Sequence, residues 1–446
     1  VFDCLTEIAA NGQLVGELAE SWEATPDAKV WTFALRRGVT FHDGSAFGAD
    51  DVIASLRLHL GGASPAAPIV GQIEEMRRLG DHQVQIVLGA GCADFPFLMS
   101  DPHLLIYPHG DIPGAMERGI GTGLYRALCL EPGVRAVLER VDGHYKDGRA
   151  GWFDGVEAVA LNDTAARMGA LTSGRVDAVD RLDLRAERAL RADRAIRIVE
   201  VAGNRHVTFP MLAGLSPFDN RSVRLALKYA VDRQAMVDEV LLGHGQVASD
   251  TPVGPANPYF DAALRPRPYD PDRARRILVD AGLDGLSLDL SASSAAFEGA
   301  MQAAGLFRAS AEAAGIAITV RDRPADGYWS DTWRTAPWST ASWAGRVTED
   351  WMFTMGHAPG AAWNDTGWMD ARFQSLLARA RAELDDTRRR EMYHEMQAIM
   401  SEDGGTVIPM FANFVDAASA RLAGPETVGS VSAMDSARLI ERWWFA

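Results

Sequence analysis

Residues 329–368 read WSDTWRTAPWSTASWAGRVTEDWMFTMGHAPGAAWNDTGW and hold seven of the chain's twelve tryptophans. Arg346, Glu349 and Asp350 sit in the middle of that run. Tryptophan offers a broad flat face at little entropic cost and stacks on cations or planar groups. Arginine pairs with carboxylates, and acidic side chains pair with amines. Together these types suit reversible recognition of a charged, partly apolar solute. Trp329, Trp333, Trp338 and Trp343 recur every four or five residues among Ser, Thr, Gly, Asp and Pro, a setting of loops and short strands rather than an apolar helical face. Aromatics on loops with a few convergent polar groups are the usual lining of a ligand cleft. Some of the seven must still pack simply as core.

No comparable set exists for covalent chemistry. The ten histidines are dispersed, with no HExxH zinc motif, no GxSxG and no phosphate-binding loop. GIGTGLY (119–125) lacks the dinucleotide-binding register and reads as a strand and turn. Asp50 and Asp51 lie at a helix start, where the macrodipole accounts for them. His42-Asp43 reads as a turn cap, and Cys4 has no nearby histidine to activate it. Neither a catalytic set, a metal site nor a cofactor is expected. A hydrolase using Glu349 or Asp350 is the remote alternative.

The elements that must position these residues alternate between helix and strand. WEATPDAKVWTFALRRG (22–38) turns at Pro26-Asp27 and then alternates through Trp31, Phe33 and Leu35, a hairpin strand. The stretch 41–60 predicts a helix capped by Ser45 or Asp50, with Val52, Ile53, Leu56 and Leu60 inward. Strands are predicted over 81–89, 135–148 and 203–212, and a helix within 163–180. Residues 220–245 predict a pair of amphipathic helices, and Pro271 opens a helix that Gly282 ends. Strand 286–294, helix 298–315 and strand 316–322 form a β-α-β unit and hence a small parallel sheet. Helix over 371–405 and strand and loop over 406–424 complete a mixed α/β pattern without a fixed repeat.

At 446 residues the chain calls for two or three domains. Sixty acidic against 44 basic residues give a formal charge of −16 and no basic block, which argues against nucleic acid or anionic lipid as a partner. Lysine occurs only at 29, 146 and 228, which reads as the bias of a GC-rich genome rather than as chemistry. Cys4, Cys92 and Cys129 are too scattered for a metal cluster and fit either one disulfide plus a thiol or three thiols. No stretch has the length and apolarity of a transmembrane helix. The chain opens at VFDCLTEIAANGQLV without a leader pattern, as if a leader and a first strand were removed or the sequence started late.

The stretch ELAESWEATPDAKVWTFALRRGVTFHDGSAFGADDVIASL (17–56) resembles the signature of family 5 extracytoplasmic solute-binding proteins, the dipeptide, oligopeptide and nickel-binding components of bacterial ABC importers. Further likenesses follow in order at 121–145, 170–180, 216–245 and 269–283, so the resemblance runs collinearly along the chain. It implies a two-lobed periplasmic-binding-protein clamshell of type II, in the large cluster with an extra subdomain in lobe I. Lobe I would comprise 1–207 and 409–446 with an insertion over about 42–150, lobe II 208–408, and the chain would cross between them twice.

WAGRVTED (343–350) resembles the cleft element in which relatives pair an acid with a peptide's α-amino group; Glu349 falls at the acid, and Asp350 where relatives often carry proline. The contacts implied are Trp343, Arg346, Glu349, Asp350 and Trp351, flanked by Trp333, Trp338, Trp363 and Asn364, with Asn204 and His206 from the first crossing. The function implied is capture of a small peptide or peptide-like solute in the periplasm and delivery by a monomer to an inner-membrane ABC permease. An oligosaccharide or opine-like ligand is the alternative.

Overall fold

Alternation of Trp31, Phe33 and Leu35 gives the strand Val30–Leu35 one buried face, and it pairs antiparallel with Ala19–Ala24 so that Trp22 faces Phe33. The computed structural model describes residues 1–61 and 64–446. The helix Ala49–Arg57 starts at Gly48 rather than at Ser45 or Asp50. Asp51 reaches back to accept the Gly48 N–H at 2.7 Å, while Ser45 is engaged with Asp43 in the preceding turn. His42 lies 2.8 Å from the Gly123 carbonyl, so it too serves the backbone. Cys4, Cys92 and Cys129 are thiols, none of them in a disulfide.

The chain divides into two units, one of Val1–Val199, Arg381–Asp386 and Asp416–Ala446, the other of Glu200–Ala380 and Thr387–Val415. Divisions fall at 199/200 and 415/416, inside the strands Ile196–Pro210 and Thr406–Ser419, and at 380/381 and 386/387. Both strands run unbroken through the change, so no turn signal marks it.

In the first unit, charge is buried on purpose. Lys146 donates to Glu17 at 2.8 Å and to Glu7 and Glu441 at 3.1 Å, and Arg438 donates to Glu17 at 2.8 Å. In the second unit Lys228, completely buried, donates to the Met400 and Ser401 carbonyls at the end of the helix Asp386–Asp403. Two of the three lysines thus occupy buried sites where one compact ammonium reaches several acceptors.

The second unit is built on the strand Ile196–Pro210, which lies between Thr406–Ser419 and the short strand Ala341–Trp343. The β-α-β unit is present: Ser287–Ala292 and Ala317–Asp322 pair in parallel, joined through the helix Ala300–Glu312. The helices Arg221–Ala230 and Arg233–Val240 close the core around Phe209, Leu227, Leu290 and Phe307. Trp338 is part of that core, with Phe307 at 5.2 Å and Phe218 at 6.0 Å between ring centres. Its position in a loop-like sequence concealed this role; it is packing, not a cleft contact.

Candidate functional site

The site is assembled on the strand Ala341–Trp343, which pairs antiparallel with the central strand so that Trp343 stands opposite His206 and Ala341 opposite Thr208. Directly opposed residues project from the same face, which brings His206 beside Trp343 across more than a hundred residues of sequence. Asn204 follows two places before His206 and therefore shares that face. Its Nδ2 donates to the Arg346 carbonyl at 2.9 Å, and the Nδ2 of Asn257 donates to the same oxygen at 3.1 Å. Gly345 makes this approach possible, because a Cβ there would lie 1.9 Å from Asn204 Cγ.

With its carbonyl held, Arg346 folds its guanidinium back. Nη1 donates to the Ala344 carbonyl at 2.8 Å and Nε contacts the Met355 sulfur at 3.4 Å. The guanidinium lies 5.8 Å from the ring of Trp363, a cation–π arrangement. Trp363 is 46% exposed and rests against Trp343 at 5.8 Å with the rings inclined by 56°. The indole N–H groups of Trp333 and Trp343 both donate to Asp365 Oδ2, at 3.2 and 3.4 Å. Burial pushes the Asp365 pKa up to about 6, against the pull of those two donors.

The remaining expected contacts go elsewhere. Thr348 caps the helix Glu349–His357, accepting from Trp351 N–H at 3.3 Å, so Glu349 and Asp350 are the acids of a first helical turn. Glu349 is 1% exposed and its Oε1 accepts the Tyr259 N–H at 2.5 Å, while Asp350 and Trp351 are also buried. Thr-Glu-Asp ahead of Trp351-Met352-Phe353 is a helix-start signal of the same kind as Asp50-Asp51. Trp351 lies in that helix, and the expectation of loops and short strands is corrected at Trp329, which lies on a single π-helical turn, Tyr328–Thr332. Asn364 closes a turn, accepting the N–H groups of Thr366 at 3.2 Å and Gly367 at 2.9 Å.

Of the expected residues, Asn204, His206, Trp343, Arg346 and Trp363 therefore come together, with Trp333 joined through Asp365. Asn257 and Asp365 were not foreseen. Asn257 belongs to a proline-rich connector whose sequence gives no distance to Arg346, and Asp365 lies beside the expected Asn364.

His206 and His357 are both buried, and burial drives their pKa values down to about 4 and about 3, His357 being lowered further by His206. Unfolding would let both take up protons from pH 6.5 downward, so their contribution is intact above pH 6.5 and declines toward pH 4. Asp365, raised from 3.8 to about 6, works in the opposite sense, costing stability as pH rises through that interval. His357→Phe should keep the ring contacts with Phe353 and Phe373 and remove on the order of 3 kcal/mol of acid destabilisation at pH 4. Urea melts between pH 7 and pH 4 check this; an unaltered slope would mean that His357 is solvated.

The family model for bacterial extracellular solute-binding proteins, family 5, matches residues 13–365. The chain belongs to this family. The nickel-binding periplasmic protein of Escherichia coli K12 is 28% identical over 301 residues, covering 63% of this chain and 56% of that protein. Di/tripeptide-binding protein 1 of Pseudomonas aeruginosa is 24% identical over 440 residues, 90% of this chain and 81% of that one. In the first three curated relatives the alignment spans 56%, 53% and 53% of the relative, so the chain spans about half of their length. Among solved structures, the binding protein AgaA of A. tumefaciens R10 in complex with agropinic acid superposes with a TM-score of 0.80 at 21% identity, over 100% of this chain and 93% of that one. The fold of this family 5 protein is accordingly the two-lobed α/β clamshell. None of its described helices is long and apolar enough to cross a membrane.

Proposed function

We propose that this protein is the extracytoplasmic solute-binding component of an ABC importer, capturing a small peptide or peptide-like solute and handing it to a membrane permease. The match to the family 5 model over most of the chain carries this reading. The protein works as a monomer in the periplasm, without a cofactor or nucleic acid, and binds without covalent change. The side chains that meet the solute are Trp363, Trp343, Trp333 and Arg346, held by Asn204 beside His206. The wall is aromatic and its cations are arginines, which supports a solute with a flat or apolar part and a carboxylate.

One observation favours a second reading in which an opine-like acid replaces the peptide. The Glu349 carboxylate, expected to take a peptide amine, is turned inward onto the Tyr259 backbone. The chemistry facing outward in this segment is then that of carboxylate recognition.

A thermal-shift comparison of the dipeptide Ala-Phe with its N-acetyl and C-amide derivatives tests both. Ala-Phe at a hundredfold excess over its Kd should stabilise the fold by about 2.7 kcal/mol. Amidation should abolish the shift, and Arg346→Ala should weaken binding by roughly tenfold. An N-acetyl derivative that binds as well as Ala-Phe would select the acid-recognising reading. No shift with any peptide or opine-type acid would sink both.

A further inference from the structure

Four tryptophans of this segment form a continuous run in space. Trp329 meets Trp333 edge to face at 5.5 Å, Trp333 and Trp343 share Asp365 Oδ2, and Trp343 meets Trp363. Two arginines lie against the run, Arg334 at 5.6 Å from the inner Trp333 ring and Arg346 over Trp363 at one end. Arg334 adopts φ = 65°, a left-handed conformation uncommon outside glycine, and does so beside the wall.

An indole N–H can only donate, so a buried indole needs an acceptor. Elsewhere a single aspartate serves a single indole: Asp403 takes Trp368, and Asp435 takes Trp443. Both of those indoles are buried on all sides, and their pairing needs no functional explanation. Asp365 differs in two respects. One of its oxygens takes two indoles from separate elements, and the rings leaning on those indoles, Trp329 and Trp363, remain 45% and 46% exposed.

We propose that Asp365 is the positioning residue of an aromatic wall, fixing Trp333 and Trp343 by their indole N–H groups so that Trp329 and Trp363 present their open faces to a flat-sided, carboxylate-bearing solute. The solute part of this proposal rests on the reading of the segment as the binding site; the positioning part does not. Through one oxygen the carboxylate holds both indole N–H groups, and with them the angle between the two rings. The two outer rings inherit that angle through their edge-to-face and tilted contacts. Asparagine would keep an acceptor oxygen at the same place, whereas alanine would leave two indole donors without one.

The test uses tryptophan-labelled protein and the indole N–H resonances of Trp333 and Trp343, assigned through W333F and W343F. D365A should move both resonances and speed their exchange with solvent roughly tenfold. It should also weaken Ala-Phe binding by a similar factor, and D365N should restore both properties to within about threefold. Unmoved resonances in D365A would overturn the positioning role, and moved resonances with unaltered Ala-Phe affinity would overturn the part in which the positioned rings meet the solute. If D365A does not fold, W333F alone must shift the Trp343 resonance through the shared oxygen; failure to do so is equally fatal. Should the wild-type protein bind no Ala-Phe, the peptide reading falls while the resonances still decide the role of Asp365.

Discussion

Lys146→Met should destabilise the first unit by about 3–5 kcal/mol, the cost of removing one partner from a buried ionic network. Glu17 is completely buried, and its second oxygen already accepts the Cys4 N–H at 2.8 Å. Desolvation alone would lower the Lys146 pKa, but Glu17 and Glu441 overcome it and hold the ammonium well above an ordinary lysine. The methionine variant leaves three glutamates to the two arginines already bound to them, Arg438 to Glu17 and Glu441 and Arg442 to Glu7. Because Glu7 and Glu441 come from opposite ends of the sequence, the network ties those ends into one body. The three glutamates have folded pKa values below 4.5, so the stabilisation is complete above pH 4.5 and disappears as pH falls through the depressed values. Urea unfolding at pH 7 measures the loss. A change below about 1 kcal/mol, the level of an exposed pair, would show that water reaches the cluster.

Gly345→Ala should reduce solute affinity at least tenfold and cost about 1–3 kcal/mol of stability, the range for forcing extra volume into a packed site. The added methyl would lie 1.9, 2.0 and 2.4 Å from Asn204 Cγ, Oδ1 and Nδ2. Asn204 is buried in the central strand, so either its amide releases the Arg346 carbonyl or the 344–348 loop lifts. Both movements take the guanidinium away from Trp363. The double variant Asn204→Ala/Gly345→Ala removes the clash and should recover most of the stability, a strongly non-additive cycle. Thermal melts of the four proteins, with titration of Ala-Phe alongside, read it out. Additive losses would mean that Gly345 is needed for its backbone freedom and not for its closeness to Asn204.

The local elements were readable because their causes are local. Alternation through Trp31, Phe33 and Leu35 makes a strand wherever it is placed, and Pro271 and Gly282 bracket the helix Pro271–Asp280, with Gly282 at φ = 71° just beyond its end. The β-α-β order over 286–322 was enough to foresee a parallel pair. Thr348-Glu349-Asp350 is a local signal of the same kind: Glu349 begins a helix and receives a backbone N–H.

By itself the sequence determined the α/β class, most helices and strands, the family, and the concentration of tryptophan and arginine in one segment. Tertiary structure alone decided how each of those tryptophans packs. Trp338 and Trp343 are five residues apart in similar company, yet one is enclosed by Phe218 and Phe307 and the other carries Trp363. It also decided that Asn204 and Asn257 share one carbonyl and that Asp365 joins two indoles. The reason is physical. Helical and strand periods arise from bonds within a few residues, whereas strand register and loop packing bring together side chains that no spacing along the chain relates.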